Sequence, residues 1–112
     1  MHFKSSSYRV PEPYGVVLIM SPWNYPFQLA FAPLIGAVAA GNCAVVKPSS
    51  YSPHTSSLIA KILGGCFPKE YIAVIEGGRE ANQELLNQKF DYIFFTGSVS
   101  VGRTVMEAAS RH

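Results

Sequence analysis

The chain alternates short, wholly apolar segments with longer segments in which apolar and polar residues are mixed. The short segments are rich in β-branched and aromatic residues, and an apolar run of this kind is typical of a strand that is buried on both faces. We therefore predict four buried strands, which are YGVVLIM at 14–20, CAVVK at 43–47, YIAVIE at 71–76 and DYIFFT at 91–96.

A helix is predicted after each of these strands. Pro26 can begin the first helix, because the first helical position needs no N–H donor. Ser52 followed by a proline is typical of the start of the second helix, and the glycine pair 64–65 is predicted to end it. The third helix is predicted over 80–88, and Ser98 can cap the fourth.

The order β-α-β-α-β-α-β-α predicts an α/β fold in which helices cover both faces of one parallel, Rossmann-like sheet. In such sheets ligands bind at the carboxyl ends of the strands. Four loops leave those ends, and they hold most of the unusual residues: SPWNYP at 21–26, KPSSYSP at 47–53, EGGRE at 76–80 and TGSVSVG at 96–102.

Composition narrows the class of protein. The 112 residues are 48% hydrophobic and 14% charged, with a net charge of +2. One small domain is expected, with apolar surface that faces a further part of a longer protein or a second copy. Lys and Arg form no basic stripe, which argues against a nucleic-acid partner. The stretch 15–46 carries no charge, but prolines and asparagines interrupt it too often for a membrane span.

The two cysteines, Cys43 and Cys66, form neither a CxxC pair nor a disulfide framework. The first ten residues, MHFKSSSYRV, lack the apolar core of a signal peptide. Both features predict a reducing, cytoplasmic location.

The loop TGSVSVG has the plainest chemistry. Gly97 permits a sharp turn and the close approach of a ligand, Ser98 can cap the helix, and Gly102 removes a side chain from the approach face. Backbone N–H groups and the helix dipole at such a start attract an anion. The alternative is an ordinary helix start, since the spacing differs from the GxGxxG fingerprint.

Two further side chains stand out at strand ends. Lys47 ends the second strand and can donate to ribose hydroxyls or to a phosphate; the alternative is a solvated lysine. Asn24 lies in a loop braced by two prolines, and a fixed amide is a preorganised donor for the oxyanion that develops when a carbonyl is attacked. The alternative is that Asn24 caps the next helix and that Trp23 packs in the core.

Taken together, the loops resemble those of the aldehyde dehydrogenase superfamily. The matching strings are PYGVVLIMSPWNYPF, GNCAVVKPSS and FTGSVSVGR, in that order, and the resemblance covers nearly all of residues 10–112. The NYP form and the short connection between residues 63 and 71 are most similar to the class 3 branch.

The resemblance implies that the full-length protein oxidises an aldehyde to a carboxylic acid with NAD or NADP. In the family a cysteine thiolate attacks the aldehyde, hydride passes to the nicotinamide, and a glutamate activates the water that hydrolyses the thioester. Neither cysteine of this chain has the context of that nucleophile. The chain is therefore expected to be part of a coenzyme-binding domain, with a lead-in at 1–13 and a truncated NAD(P)-binding domain at 14–112. It is expected to be inactive alone and to form a homodimer when full length.

The resemblance also assigns roles to individual residues, and it assigns no metal. Asn24 is implied to be the amide of the oxyanion hole. Lys47 is implied to meet the adenosine ribose, and Gly78 and Val101 the adenine. The segment 20–23 is implied to line the cofactor channel, and 95–98 the pyrophosphate site. The residues assigned to the cofactor are Met20, Ser21, Pro22, Trp23, Lys47, Ser50, Gly78, Phe95, Gly97, Ser98 and Val101.

Ser50 departs from the family pattern. Many NAD-preferring members carry a glutamate at this place, where a carboxylate accepts from ribose hydroxyls and repels a 2′-phosphate. Serine removes the repulsion and leaves Lys47 free to pair with a phosphate, so that acceptance of NADP is expected.

Two alternatives stay open. One is a CoA-acylating aldehyde dehydrogenase or an acyl-phosphate reductase on the same fold, which the general-base glutamate of the catalytic half would exclude. The other is a non-catalytic nucleotide-binding or interaction module, which requires a gene that ends near His112.

Overall fold

The computed structural model describes residues 12–112, in which strands and helices alternate strictly. The predicted element order is confirmed. Of the predicted lead-in at 1–13, all but the last two residues lie outside the described residues. The elements are β1 (Val16–Met20), α1 (Gln28–Ala39), β2 (Cys43–Lys47), α2 (Pro53–Cys66), β3 (Ile72–Val74), α3 (Arg79–Leu86), β4 (Tyr92–Phe95) and α4 (Val99–Ala109).

The four strands form one parallel sheet in the order β3-β2-β1-β4. β1 is therefore paired on both sides, and its Leu18 lies opposite Val45 of β2 and Ile93 of β4. Pairing on both sides satisfies the backbone of β1, and its sequence is apolar because helices cover both faces of the sheet. All four carboxyl ends meet at one edge of the sheet.

Two apolar clusters pack on opposite faces of the sheet. Val17 and Ile19 of β1 face α1 and α2, where they meet Leu34 and Ile59. Leu18 and Met20 point to the other face, where they pack with Leu86 of α3 and Val105 of α4. The prediction that helices cover both faces is confirmed, and the period of two along β1 decides which residue joins which cluster.

The predicted start of α2 at Ser52 and Pro53 is confirmed, but its predicted end is wrong. The helix runs through the glycine pair 64–65 to Cys66, because neither glycine adopts a positive φ that would end it. It ends where Pro68 forces the preceding residue, Phe67, into an extended conformation. Ser52 does occupy the N-cap position, but its hydroxyl makes no capping hydrogen bond; it is buried without a partner among residues 12–112.

The first helix also begins later than predicted. α1 is regular from Gln28, and Pro26 lies in the turn before it, where the carbonyl of Tyr25 accepts from the N–H of Leu29 (3.0 Å). The sharp change of direction falls on Tyr25, whose φ is 51°.

Polar side chains accept hydrogen bonds from the backbone at the amino end of β1. The N–H of Gly15 donates to Oδ1 of Asn42 (2.9 Å), and the N–H of Val16 donates to Oδ2 of Asp91 (2.8 Å). Nδ2 of Asn42 in turn donates to the carbonyl of Ala37 (3.1 Å). The buried Asn42 therefore joins the end of α1 to the start of β1, and this connection fixes the strand before it enters the core.

An apolar surface remains uncovered around β4 and α4 in the described part of the chain. Tyr92 and Phe94 are each more than two-fifths exposed, and Met106 is 75% exposed. Within residues 12–112, β4 pairs with β1 and with no other strand. The expected apolar surface is thus present, and whether a second copy or another segment covers it stays a prediction.

We predict that Gly15→Ala destabilises the fold. Gly15 has a φ of +126°, which costs other residues about 1–3 kcal/mol, and a Cβ there would also meet Cγ of Asp91 at 2.9 Å. Urea denaturation should show the loss. Gly36→Ala in α1 is the matched control: nothing lies within 4 Å of its Cβ, so that this variant should gain about 0.5–1 kcal/mol. Equal effects of the two substitutions would contradict the assigned geometry.

Candidate functional site

A cavity of about 460 Å³ opens at the edge of the sheet where the strands end. It lies between the loops after β1, β2 and β4, with one residue from α3. Every residue assigned to the site from the sequence lines it, except Gly78. The lining comprises Met20, Ser21, Pro22, Trp23, Asn24, Leu29, Lys47, Ser49, Ser50, Tyr51, Asn82, Phe95, Thr96, Gly97, Ser98 and Val101.

The topology places the cavity there. β1 and β4 are neighbours, but the helix after β1 packs on one face of the sheet and the helix after β4 packs on the other. The two loops diverge and leave a crevice, which is the usual ligand site of open α/β sheets. Backbone hydrogen bonds close its floor: the N–H of Ser21 donates to the carbonyl of Lys47 (3.2 Å), and the N–H of Thr96 donates to that of Met20 (3.1 Å).

Lys47 is buried in this floor, with only 3% of its surface exposed. The alternative of a solvated lysine is therefore wrong. Its Nζ donates to the carbonyl of Pro48 (2.7 Å), and burial lowers the pKa of the ammonium. Among the described residues, no Asp or Glu lines the cavity. A buried cation without a carboxylate partner, and with further N–H groups to donate, favours an anionic or hydroxyl-rich ligand.

The start of α4 forms one wall of the cavity. Oγ of Ser98 accepts from the N–H of Val101 (3.3 Å), which confirms the predicted cap. The role predicted for the glycines needs correction, because Gly97 has no positive φ. A Cβ on Gly97 would lie 2.7 Å from the Phe95 ring, and one on Gly102 would lie 3.3 Å from it. These glycines make room for Phe95 under the helix start, whereas a sharp turn and an open approach face were expected.

Asn24 lies on the rim of the cavity, in the loop between β1 and α1. Its side chain makes no hydrogen bond with any described residue, and the N-cap of α1 is Phe27, without a side-chain cap. Trp23 is 64% exposed. Both parts of the alternative, a helix cap and a core tryptophan, are therefore wrong. The amide of Asn24 is free to donate to a ligand.

Residues that the sequence reasoning missed also line the cavity: Leu29, Ser49, Tyr51, Asn82 and Thr96. Ser49, Tyr51 and Thr96 are in the assigned loops, whereas Leu29 comes from the first turn of α1 and Asn82 from α3. Helical spacing could have found it, since Asn82 lies four residues after Gly78 and four before the buried Leu86. Gly78 does not line the cavity, and a Cβ on it would be 3.8 Å from Oγ of Ser50.

Neither cysteine lines the cavity. Cys43 is half-buried at the opposite end of β2, and Cys66 is exposed at the end of α2. Within residues 12–112 there is no group of three or more His, Cys, Asp or Glu side chains that could hold a metal ion. In the same range, no helix combines the length and the apolar character that crossing a membrane requires.

Comparisons with known proteins agree with one another. The sequence pattern of the aldehyde dehydrogenase family matches residues 2–112. The 4,4′-diaponeurosporen-aldehyde dehydrogenase of Staphylococcus aureus (strain NCTC 8325 / PS 47) is 53% identical over 110 residues, which are 98% of this chain and 24% of that protein. Aldehyde dehydrogenase family 3 member A2 of Macaca fascicularis is 51% identical over 106 residues, or 95% and 22% of the two chains. The chain thus spans less than a quarter of the length of these relatives.

Solved structures show the same fold. The substrate-bound state of Staphylococcus aureus AldH superposes with a TM-score of 0.88 at 55% identity, over 89% of this chain and 22% of that one. Glyceraldehyde-3-phosphate dehydrogenase GapN from Methanocaldococcus jannaschii, complexed with NADP, superposes with a TM-score of 0.75 at 30% identity, over 88% and 23%.

The burial of the Lys47 ammonium predicts how the stability of the fold changes with pH. Burial lowers the pKa of Lys47 in the folded state below 10.5, the value for the unfolded chain. Between the folded-state pKa and the unfolded-state pKa, the unfolded chain therefore binds more protons than the folded chain. The free energy of unfolding then rises with pH. Lys47→Met removes this contribution, and we expect the parent to gain stability relative to that variant as pH is raised toward 10.5. Urea denaturation at several pH values measures it.

Lys61→Met, at an exposed position of α2, controls for the loss of one positive charge. A stability difference between the parent and Lys47→Met that does not change with pH would contradict the effect of burial on the ammonium.

Proposed function

The chain belongs to the aldehyde dehydrogenase family, and from that premise we propose that the complete protein oxidises an aldehyde to a carboxylic acid with NAD or NADP. The observation that carries the proposal is the cavity itself. It lies at the switch point of a parallel sheet and holds the buried Lys47, and residues 12–112 contribute no carboxylate to it. Residues 14–112 are proposed to be the NAD(P)-binding part.

The cavity has features that suit a dinucleotide. A pyrophosphate needs donors and positive potential, and the first turn of α4 supplies both at the wall formed by Gly97 and Ser98. Ser21 is only 8% exposed, and its hydroxyl has no partner among the described residues. A buried hydroxyl without a partner is costly, and a polar ligand in the cavity would relieve that cost.

Each side chain of the site then has a defined task. Lys47 donates to a ribose hydroxyl or a phosphate of the adenosine half, with the carbonyl of Pro48 holding its Nζ in place. In this proposal Val101 and Gly78 lie beside the adenine. Trp23 and the backbone of 20–22 line the channel toward the nicotinamide.

When bound, the cofactor supplies the hydride acceptor. The contribution of this chain to the chemical step is the amide of Asn24, which donates to the aldehyde oxygen as negative charge develops on it. Because neither cysteine lines the cavity, the nucleophile of the proposed reaction comes from another part of the complete protein.

The proposal is tested with the complete gene product, a panel of aldehydes and either cofactor. We expect reduced cofactor and carboxylic acid to form together. Cofactor binding without oxidation of any aldehyde would favour a non-catalytic nucleotide-binding module. Formation of an acyl-CoA only when CoA is supplied would favour the CoA-acylating alternative.

We predict that Asn24→Ala lowers the rate of oxidation about a hundred- to thousandfold, because one oxyanion donor is typically worth that much. Cofactor affinity should change little, since the amide is aimed at the aldehyde oxygen. Steady-state kinetics and a cofactor titration separate the two effects. Asn87→Ala, at the exposed end of α3 outside the cavity, is the control. Unchanged turnover in Asn24→Ala would remove the amide from the mechanism.

We predict that the complete protein accepts NADP as well as NAD, and that Ser50→Glu shifts it toward NAD. A carboxylate at this position of the cavity wall repels a 2′-phosphate and accepts from ribose hydroxyls, an effect of about tenfold in the ratio of kcat/KM for the two cofactors. Ser57→Glu places the same charge on the exposed face of α2, away from the cavity, and should leave the ratio unchanged. A parent protein that rejects NADP would contradict the role given to Ser50.

A further inference from the structure

Asn82 lines the cavity with a polar side chain that has no hydrogen-bond partner among residues 12–112. Its Oδ1 is buried without a hydrogen bond to any described residue, and none of them bonds its amide nitrogen either. Buried polar atoms in native proteins nearly always have a partner, so that an orphan at a cavity points to a ligand or water that fills the cavity. Neither the cap of α3 nor the core requires this amide.

The position of Asn82 places it near the groups that face the adenosine ribose in the proposed function. The backbone N–H of Asn82 donates to the carbonyl of Gly78 (3.1 Å), so Asn82 lies one turn along α3 from Gly78, where an added Cβ would be 3.8 Å from Oγ of Ser50. Leu86, one turn further, is buried against β1, which puts Asn82 on the inward face of the helix. Asn82, Ser50 and Lys47 all line the one cavity.

The side chains of Asn82 and Ser50 can each donate or accept a hydrogen bond. An amide that no neighbour holds can present either its carbonyl oxygen or its N–H groups after a half-turn, and the hydroxyl of Ser50 can accept or donate. A ribose 2′-hydroxyl needs an acceptor or a donor, whereas a 2′-phosphate needs donors only. Asn82 and Ser50 can satisfy either group, and Lys47 supplies the positive charge.

Resting on the proposed function, we propose that Asn82 is a specificity-determining residue that contacts the 2′-position of the adenosine ribose and allows the site to take both NAD and NADP. It acts as an acceptor toward the 2′-hydroxyl and as a donor toward the 2′-phosphate. The amide is neutral, so that it excludes neither cofactor.

Charge substitutions at this position test the proposal in two opposite directions. The probes are 5′-AMP and adenosine 2′,5′-bisphosphate, which differ at the position in question and are titrated calorimetrically into the complete gene product. We expect Asn82→Asp to weaken binding of the bisphosphate about tenfold relative to 5′-AMP, by like-charge repulsion. Asn82→Lys should strengthen it by a similar factor.

Gln83→Glu and Gln83→Lys are the matched controls, because they place the same charges one residue away on the exposed side of α3, outside the cavity lining. They should leave the ratio of the two affinities within about twofold. Circular dichroism checks that each variant folds. Should Asn82→Asp fail to fold, the opposite shift expected for Asn82→Lys still decides the question.

The outcomes separate this inference from the proposed function. If the unmodified protein binds neither probe, the proposed cofactor site fails, and this inference fails with it. If it binds them but the Asn82 variants leave their ratio unchanged, or shift it no more than the Gln83 variants do, only the role of Asn82 is overturned. An equal loss of both probes in Asn82→Asp and Asn82→Lys would assign Asn82 to packing alone.

Discussion

The pairing of β1 with a parallel strand on each side is the constraint on which the rest of the structure depends. Leu18 and Ile19 are fully buried, one on each face of the sheet, so the backbone between them must find its hydrogen bonds in β2 and β4. A slip of one residue in either register would exchange the two apolar clusters. The same bonds continue past the strand, where Met20 and Ser21 bind the starts of the neighbouring loops. The core and the floor of the cavity are thus set by one hydrogen-bond ladder.

The burial of Lys47 follows from that ladder and gives the cavity its electrostatic character. Lys47 is the last residue of β2 and lies opposite Met20 of β1, one of the two central strands. Among the described residues, its Nζ has one hydrogen-bond partner, the carbonyl of Pro48. A buried ammonium without a carboxylate costs stability. Fold stability alone would be better served by an apolar residue at this position, so that the lysine is best explained by a ligand that the site is built to hold.

Sequence patterns predicted the helices and strands well, but they did not predict the contacts between segments that are distant in the chain. β2 was predicted over CAVVK with the ends that the structure shows, because an asparagine precedes the run and a lysine–proline pair follows it. The end of α2 was misplaced, since a glycine pair ends a helix only where its backbone adopts a positive φ, and Pro68 acts first. The strand order, the burial of Lys47 and the presence of Asn82 in the cavity depend on contacts between distant segments. Local patterns do not encode such contacts, although helical spacing from Gly78, which was not used, would have indicated the face on which Asn82 lies.

The exposure of the rim sets a condition on the proposed chemistry. An oxyanion donor is effective where water is excluded, because water competes for the same oxygen and screens the charge. In the described part of the chain, however, Asn24 is exposed, and so are its neighbours Trp23 and Tyr25, at 64% and 71%. Large aromatic side chains of this kind are seldom left in water without a partner. In the proposed function, the cover over the Asn24 amide therefore comes from outside residues 12–112, as the nucleophile does.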